Sequence, residues 1–258
     1  MIIGVDIGNT TTEIGFIKNQ NSISSYKLNT DKDKTEDDWF FLIKDIVRYE
    51  DVKNIEAVIL SSVVPPLNQK LRNVFKRIFN TNVYILGENL NYPVKINYEN
   101  PKEVGADRIV NAVAVINLYG FPSIVIDFGT AITFDLINEK GEYDGGAIFP
   151  GIKSSIEALF MKTAKLPLIE LKPVKNPVGK NTVESIQTGI YNGFLSLING
   201  MIDIYKDIYG QNTNIILTGG DAKLFSDGIN KNHRIEPYLN MKGIYFVYKS
   251  LEKSKLNS

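Results

Sequence analysis

The sequence has no cysteine and a single histidine, His233, among its 258 residues. The absence of cysteine excludes disulfides, thiolate catalysis and cysteine-bound metals. One histidine cannot build a multi-histidine metal site, and it disfavours a Ser-His-Asp triad. Any metal must therefore be held by oxygen ligands, which favours Mg²⁺ or an alkali cation. His233 itself is predicted to be a surface residue.

The sequence also has no excess of charge and no long hydrophobic run. Its 29 basic and 29 acidic residues give a formal net charge of zero, so neither a nucleic-acid partner bound by a basic surface nor a membrane partner is predicted. No apolar stretch approaches the roughly 20 residues of a membrane span. The first ten residues, MIIGVDIGNT, have no basic segment and carry Asp6 inside the apolar run, unlike a signal peptide. These features predict a cytoplasmic protein.

Two stretches about half the chain apart follow the same pattern. In VDIGNTTTEIG (Val5–Gly15) and IDFGTAITFD (Ile126–Asp135), an apolar run ends in Asp, one apolar residue, Gly and a turn containing hydroxyl side chains. A second apolar run follows each turn, so each stretch predicts a strand-turn-strand unit. The chain is therefore expected to consist of two similar α/β halves, residues 1–115 and 116–258.

The rest of the chain adds helices and strands to each half. The first 28 residues predict three antiparallel strands joined by short turns. A helix is expected from Pro101 to just before Gly120, since proline favours helix starts and glycine helix ends. The stretch beginning at Thr182 predicts a long helix, and LTGGDA (Leu217–Ala222) reads as a strand, a Gly-Gly turn and a helix start.

The two Asp-x-Gly turns suggest a phosphate site. A single Asp at a strand end is more often a turn cap, but two in matched settings favour a functional role. Gly8 and Gly129 permit tight turns whose backbone N–H groups can face an anion. A cation held by Asp6 or Asp127 could bridge to a phosphate. Additional side-chain donors are available at Asn9, Thr10, Thr11 and Thr130.

Three further segments carry weaker signals. GADR (Gly105–Arg108) places Asp107 and Asn111 on one helix face, which fits either a solvated ion pair or a carboxylate that accepts a proton from a substrate hydroxyl. DGGAIFPG (Asp144–Gly151) fits a strand-end turn or the backbone lining of a pocket. The Gly-Gly turn could approach a nucleoside or phosphate at a helix start. The chain contains neither G-x-x-x-x-G-K-S/T nor G-x-G-x-x-G.

Taken in order, these motifs resemble the type III pantothenate kinases, a family in the superfamily that also contains acetate kinase, sugar kinases and actin. DIGNTTTEIG is similar to the family's first phosphate motif and DFGTAITFD to its second. GADR resembles the family's G-x-D-R motif, and GGAIFPG its G-G-x-x-x-P-G motif. The resemblance covers nearly the whole chain and implies an α/β fold of two ribonuclease-H-like halves. Mixed β-sheets flanked by helices would form each half, with a nucleotide cleft between them.

The resemblance also implies roles for individual residues. ATP would contact Asp6, Ile7, Gly8, Asn9, Thr10, Thr11, Thr12, Glu13 and Thr130. Asp6 would lie near Mg²⁺, and Asp127 would bind a monovalent cation, K⁺ or NH₄⁺. Pantothenate would contact Tyr98, Gly105, Ala106, Asp107, Arg108 and Thr182. Asp107 would be the proton acceptor, and Thr182 would come from the partner subunit of a homodimer.

The implied reaction is transfer of the ATP γ-phosphoryl group to the 4′-hydroxyl of pantothenate, the first committed step of coenzyme A biosynthesis. Two alternatives stay open at this point. One is a nucleotide-binding accessory or regulatory protein of the same fold without kinase activity. The other is a kinase or phosphohydrolase of the superfamily that acts on a sugar or acetate. GADR together with GGAIFPG favours pantothenate over the second alternative, since the phosphate turns alone cannot select a substrate.

Overall fold

The computed structural model describes residues 1–52 and 54–256, and it contains two five-stranded mixed sheets of the same topology. In both sheets the five strands, counted in chain order within the sheet, lie side by side in the order third, second, first, fourth, fifth. In each, the first strand of the unit lies centrally, antiparallel to the next strand and parallel to the strand that follows a helical connection. The predicted α/β fold with two similar halves is confirmed.

The first sheet and its helices form one compact unit, Met1–Leu118 with Tyr238–Ser258. Its strands are β1 (Ile2–Ile7), β2 (Thr11–Asn19), β3 (Ser22–Asn29), β4 (Ala57–Ser62) and β5 (Val83–Ile85). Its helices are α1 (Glu36–Tyr49), α2 (Pro65–Phe79), α3 (Ala106–Tyr119, whose last residue is assigned to the second unit) and α7 (Leu239–Leu256). The three antiparallel strands expected at the start are present.

The second sheet and its helices form the other compact unit, Tyr119–Pro237. Its strands are β6 (Ser123–Phe128), β7 (Ala131–Ile137), β8 (Tyr143–Pro150), β9 (Asn214–Gly219) and β10 (Arg234–Ile235). Its helices are α4 (Ile152–Lys162), α5 (Thr182–Tyr209) and α6 (Ala222–Ser226). The long helix from Thr182 and the strand-turn-helix of LTGGDA are as predicted.

The central strands explain where each core lies. β1 and β6 are buried almost throughout, because each has strand neighbours on both edges and helices over its sheet. Their apolar residues join separate hydrophobic clusters, one around Trp39 and Phe75, the other around Phe134 and Phe225. Each cluster lies within its own unit, so each half buries a core of its own.

The helix expected to begin at Pro101 begins five residues later. Pro101–Glu103 form a short 3₁₀ helix, Val104 is extended, and α3 starts only at Ala106. Asn100 caps the 3₁₀ helix by accepting from the backbone N–H of Lys102, which completes that turn as a separate element. Because α3 begins at Ala106, Asp107 lies in its first turn, where a carboxylate interacts favourably with the helix dipole.

The C-terminal helix α7 packs on the first sheet, which differs from the sequence-based division into residues 1–115 and 116–258. α7 contacts β1, β2 and β4. A side chain at Gly243 would overlap the backbone carbonyl of Val110 in α3, so glycine is what allows the two helices to come this close. Within the described residues, no helix is long and apolar enough to cross a membrane.

Candidate active site

The two Asp-x-Gly turns occupy equivalent places in the two sheets. Asp6 and Asp127 are each the penultimate residue of a central strand. Asp6 lies opposite Glu13 on its antiparallel neighbour and Ser61 on its parallel neighbour. Asp127 lies likewise opposite Thr133 and Thr218. The matched pattern in the sequence therefore corresponds to a matched position in the fold.

The first turn leaves the chain exposed between two buried strands. The backbone N–H of Gly8 donates to the carbonyl of Thr11 at 3.0 Å and closes the turn. The residues after Gly8, namely Asn9, Thr10 and Thr11, are exposed, whereas Ile7 and Thr12 on either side are buried. A ligand approaching this turn would thus meet the three exposed residues, which carry an amide and two hydroxyl groups.

Two residues predicted to contact ATP are engaged with β3 and its end. The hydroxyl of Thr30 donates to the carbonyl of Gly8 at 2.7 Å and lies 2.8 Å from the hydroxyl of Thr12. The Glu13 carboxylate accepts from the hydroxyl of Ser25 at 2.6 Å. The side chains of Thr12 and Glu13 therefore support the hairpin, and their contact with ATP stays a prediction.

The second turn is one residue shorter and is supported by the segment that begins α4. The N–H of Gly129 donates to the carbonyl of Ala131 at 3.1 Å. The Thr130 carbonyl accepts from the N–H of Gly151 at 3.1 Å and from the hydroxyl of Ser154 at 3.2 Å. The GGAIFPG motif thus contributes to the second turn through its last residue, because a side chain at 151 would overlap the Thr130 carbonyl.

The Gly-Gly turn at the end of β9 lies directly beside Asp127. A Cβ atom at residue 219 would be 2.6 Å from Oδ1 of Asp127, and Gly219 has a φ of +89°, a conformation that favours glycine. Gly219 therefore leaves the space next to this carboxylate oxygen without a side chain. Burial raises the pKa of the Asp221 carboxyl in the same turn, and the nearby positive charge of Lys153 partly offsets this.

Asp107 lies in the first unit, next to the end of β4. Its Oδ1 accepts the backbone N–H of Arg108 at 2.9 Å. A Cβ atom at residue 105 would lie 2.5 Å from the same oxygen and 3.2 Å from Val63. The N–H of Val63 in turn donates to the carbonyl of Ile7 at 3.0 Å. Val63 therefore links the GADR segment to the strand that carries Asp6.

The electrostatics of Asp107 distinguish it from a solvated surface acid. Burial raises the pKa of its carboxyl, although the hydrogen bond from the Arg108 N–H and the positive charge of Arg108 act in the opposite direction. The Arg108 side chain is itself buried, with 8% of its surface exposed. A partly desolvated carboxylate with a raised pKa is a better proton acceptor than an ordinary aspartate. This favours the second interpretation of GADR over a solvated ion pair.

The two other residues predicted to contact pantothenate lie in different units, Tyr98 in the first and Thr182 in the second. Tyr98 is 42% exposed, in the loop before the 3₁₀ helix. Burial and the negative charge of Asp107 raise the pKa of a different tyrosine, Tyr92, to about 12. Tyr92 therefore lies near the GADR segment, although the sequence motifs did not identify it. Thr182 is exposed at the first position of α5 in the second unit. No motif signal marks Tyr92 apart from its position in a tyrosine-containing loop.

His233 is only partly exposed, whereas the sequence-based expectation was a surface residue. It is half-buried, with Nε2 2.7 Å from the hydroxyl of Ser226 and Nδ1 2.8 Å from the carbonyl of Lys231. The imidazole thereby joins α6 to the segment leading into β10. The described residues contain no group of three or more His, Cys, Asp or Glu side chains able to hold a metal. A metal ion at Asp6 or Asp127 would thus need oxygens from a ligand, the backbone or water.

Comparison with known proteins gives one consistent family. The family model described as type III pantothenate kinase matches residues 2–204. A type III pantothenate kinase of Sulfurihydrogenibium sp. is 51% identical over 96% of this chain and 100% of its own length. That of Persephonella marina is 51% identical over 96% and 98%, and that of Halalkalibacterium halodurans is 41% identical over 96% and 99%.

Solved structures with low sequence identity share the fold. A conserved Campylobacter jejuni protein described as a Baf family transcriptional activator aligns over 98% of this chain and 100% of its own, with a TM-score of 0.62 and 19% identity. A ROK family glucokinase from Streptomyces griseus, solved with glucose and AMPPNP, aligns over 96% and 98%, with a TM-score of 0.53 and 13% identity. These likenesses show that the α/β fold, with its two mixed five-stranded sheets flanked by helices, is shared with these solved structures.

The raised pKa of Asp107 predicts a pH-dependent stability difference for Asp107→Asn. Between its unfolded pKa of about 3.9 and its higher folded pKa, the folded protein binds more protons than the unfolded chain, so Asp107 lowers stability progressively as pH rises. Asparagine keeps the acceptor oxygen but not the buried charge. The free energy of unfolding of the variant relative to wild type should therefore increase from pH 4 to pH 8, measured by urea denaturation.

The matched control is Asp45→Asn, which removes a carboxylate from an exposed position of α1. At pH 8 the free energy of unfolding relative to wild type should increase more for Asp107→Asn than for this control. A relative stability of Asp107→Asn that stays flat or declines across this range would contradict the burial argument.

Proposed function

This chain belongs to the type III pantothenate kinase family, and from that premise we propose that it transfers the γ-phosphoryl group of ATP to the 4′-hydroxyl of pantothenate. The products are ADP, 4′-phosphopantothenate and a proton, and the reaction begins coenzyme A biosynthesis. The observation that carries the assignment of roles is the Asp107 carboxylate, whose pKa is raised by burial beside the GADR backbone. A cytoplasmic location is part of the proposal, since the reaction uses ATP.

The first turn is proposed to bind the ATP phosphates. Its exposed residues, Asn9, Thr10 and Thr11, offer donors at the end of a buried strand. Asp6 would hold Mg²⁺ together with phosphate oxygens and water, a donor set that suits this ion because Mg²⁺ keeps several waters and takes few protein carboxylates. Bound Mg²⁺ would neutralise charge on the phosphates during transfer.

The second turn is proposed to hold the monovalent cation, K⁺ or NH₄⁺, at Asp127, with Thr130 contacting ATP. The fit rests on the space that Gly219 leaves beside Oδ1 of Asp127. Backbone carbonyl oxygens are ordinary ligands of K⁺ in proteins, and strand ends and turns provide them.

Pantothenate is proposed to bind at Tyr98 and at the start of α3, from Gly105 to Arg108. Its carboxylate would be attracted by the guanidinium of Arg108, a planar donor suited to carboxylates. Asp107 would accept the proton of the 4′-hydroxyl as the oxygen–phosphorus bond forms and the bond to the ADP oxygen breaks. Most of the rate enhancement would come from positioning and charge stabilisation, because phosphoryl transfer asks little covalent chemistry of the protein.

Replacing Asp107 by asparagine tests this assignment. Because a positioned base contributes about 10²–10⁴-fold, kcat for Asp107→Asn should decline by that factor, while the Kd for ATP stays near the wild-type value. The assay incubates protein with ATP, Mg²⁺, K⁺ and pantothenate and detects 4′-phosphopantothenate by mass. Asp45→Asn serves again as the control and should keep wild-type turnover.

The outcomes separate the alternatives. Full activity of Asp107→Asn would remove Asp107 as the base. Nucleotide binding by the wild-type protein without any product would favour the accessory or regulatory interpretation. Product formed from a sugar or from acetate, and not from pantothenate, would identify a different kinase of the superfamily.

A homodimer is also proposed, on the basis of an apolar face on the second unit. This face consists of Ile204 and Ile208 on α5, which are 53% and 65% exposed. Phe160 and Met161 on α4 are further exposed apolar residues of the same unit, at 46% and 71%. Ile204 and Ile208 are four residues apart and share one side of their helix. Clustered apolar side chains of this size favour a protein–protein interface. In such a dimer, Thr182 at the start of α5 would reach the pantothenate site of the partner subunit.

Charged substitutions on the apolar face test the dimer. The wild-type protein should elute at twice the 29.0 kDa mass of one chain in size-exclusion chromatography with light scattering. The double variant Ile204→Glu, Ile208→Glu should be monomeric and have a raised KM for pantothenate. Phe41→Glu, at a 63% exposed apolar position of the first unit, is the control and should remain dimeric. A monomeric wild-type protein would refute the proposal.

A further inference from the structure

The first turn of α7 contacts the carboxylate of Asp6. Asn240, the second residue of the helix, lies with its Nδ2 atom 2.7 Å from Oδ2 of Asp6. An ionised carboxylate only accepts hydrogen bonds, so the amide nitrogen of Asn240 is the donor. We propose that Asn240 is a positioning residue, which orients the Asp6 carboxylate for the Mg²⁺-bound nucleotide. This inference rests on the proposed function for the role of Asp6.

Helix α7, which carries Asn240, packs closely against β2 and α3. A Cβ atom at Gly15 of β2 would be 2.5 Å from Sδ of Met241, the residue after Asn240. A side chain at Gly243, two residues after Met241, would overlap the Val110 carbonyl of α3. Met241 is fully buried. Gly15 of β2 and Gly243 of α7 thus let the helix pack closely against β2 and α3, and this packing fixes the position of Asn240.

The orientation of the Asp6 carboxylate needs such a contact, because the χ2 angle of an aspartate side chain is broadly distributed when nothing restricts it. A hydrogen-bond donor on Oδ2 restricts rotation about this torsion and so limits the orientations of the carboxylate plane. Another candidate for this role is Ser61, which lies opposite Asp6 on β4. Its buried hydroxyl has no hydrogen-bond partner within the described part of the chain, so Ser61 does not orient the carboxylate. Asn240, in contrast, donates directly to the carboxylate.

The test measures how nucleotide binding depends on Mg²⁺, without turnover. Asn240→Leu keeps the approximate shape of the side chain but removes the donor. Losing an outer-shell partner of a metal ligand typically weakens metal affinity about 10–100-fold. Calorimetry with ADP should therefore show a Mg²⁺ midpoint raised about 10-fold or more, with Mg²⁺-free ADP binding unchanged.

Tyr248→Phe is the matched control, since it removes another hydrogen bond of α7, the 3.0 Å bond to Glu56. The control should keep the wild-type Mg²⁺ midpoint. If Asn240→Leu does not fold, Asn240→Ser replaces it, because its hydroxyl is too short to reach Asp6 and the same shift is expected. In an Asp6→Asn background, Asn240→Leu should cause no additional shift, as expected for two residues that act through one contact.

The inference is overturned by an unchanged Mg²⁺ midpoint in Asn240→Leu, or by an equal loss of ADP binding with and without Mg²⁺. It is also overturned if ADP binding to the wild-type protein is independent of Mg²⁺. Failure of the proposed function looks different: the wild-type protein would bind ADP in a Mg²⁺-dependent way, with Asn240→Leu shifted, yet form no phosphopantothenate.

Discussion

An aspartate one residue before the end of the central strand is the feature on which each half of this protein depends. Asp6 and Asp127 lie beside fully buried residues of β1 and β6, where an uncompensated carboxylate would cost several kcal/mol. The surrounding structure is arranged accordingly. Glycines turn the chain immediately afterwards, and residues from neighbouring elements, Asn240 and Gly219, lie against the carboxylate oxygens.

The two turns have diverged within this common plan. The first is longer, exposes an amide and two hydroxyl groups, and is supported by Thr30 from the end of β3. The second is shorter and is supported by Gly151 and Ser154 at the start of α4. These differences fit the different ions proposed for the two sites, Mg²⁺ with a triphosphate and a monovalent cation. Asp107 is a third carboxylate with a proposed role. Burial raises the pKa of this carboxyl, which makes it a stronger base and lowers the stability of the folded protein at neutral pH.

The sequence predicted those parts of the structure that short-range patterns determine. The two strand-turn-strand units, the helix from Thr182 and the Gly-Gly turn all follow from local periodicity and glycine placement, and each is present. The start of α3 was predicted wrongly, because Pro101 also suits a 3₁₀ helix that Asn100 caps separately. The positions of His233, Tyr92 and Asn240 depend on contacts with residues distant in sequence or on loop geometry. Local patterns carry no information about such contacts, and the same holds for the packing of α7 on the first sheet.

The central proposal is that both Asp-x-Gly turns take part in nucleotide binding, the first at the phosphates and the second through a cation at Asp127 and a contact from Thr130. Hydrogen–deuterium exchange on addition of AMPPNP with Mg²⁺ and K⁺ tests it most directly. We expect slower exchange of the backbone amides in residues 8–11 and in residues 129–131, since nucleotide and ions bound at the turns would shield these amides and stabilise the hydrogen bonds that close each turn. Unchanged exchange in either turn, at a nucleotide concentration that saturates the protein, would contradict the account.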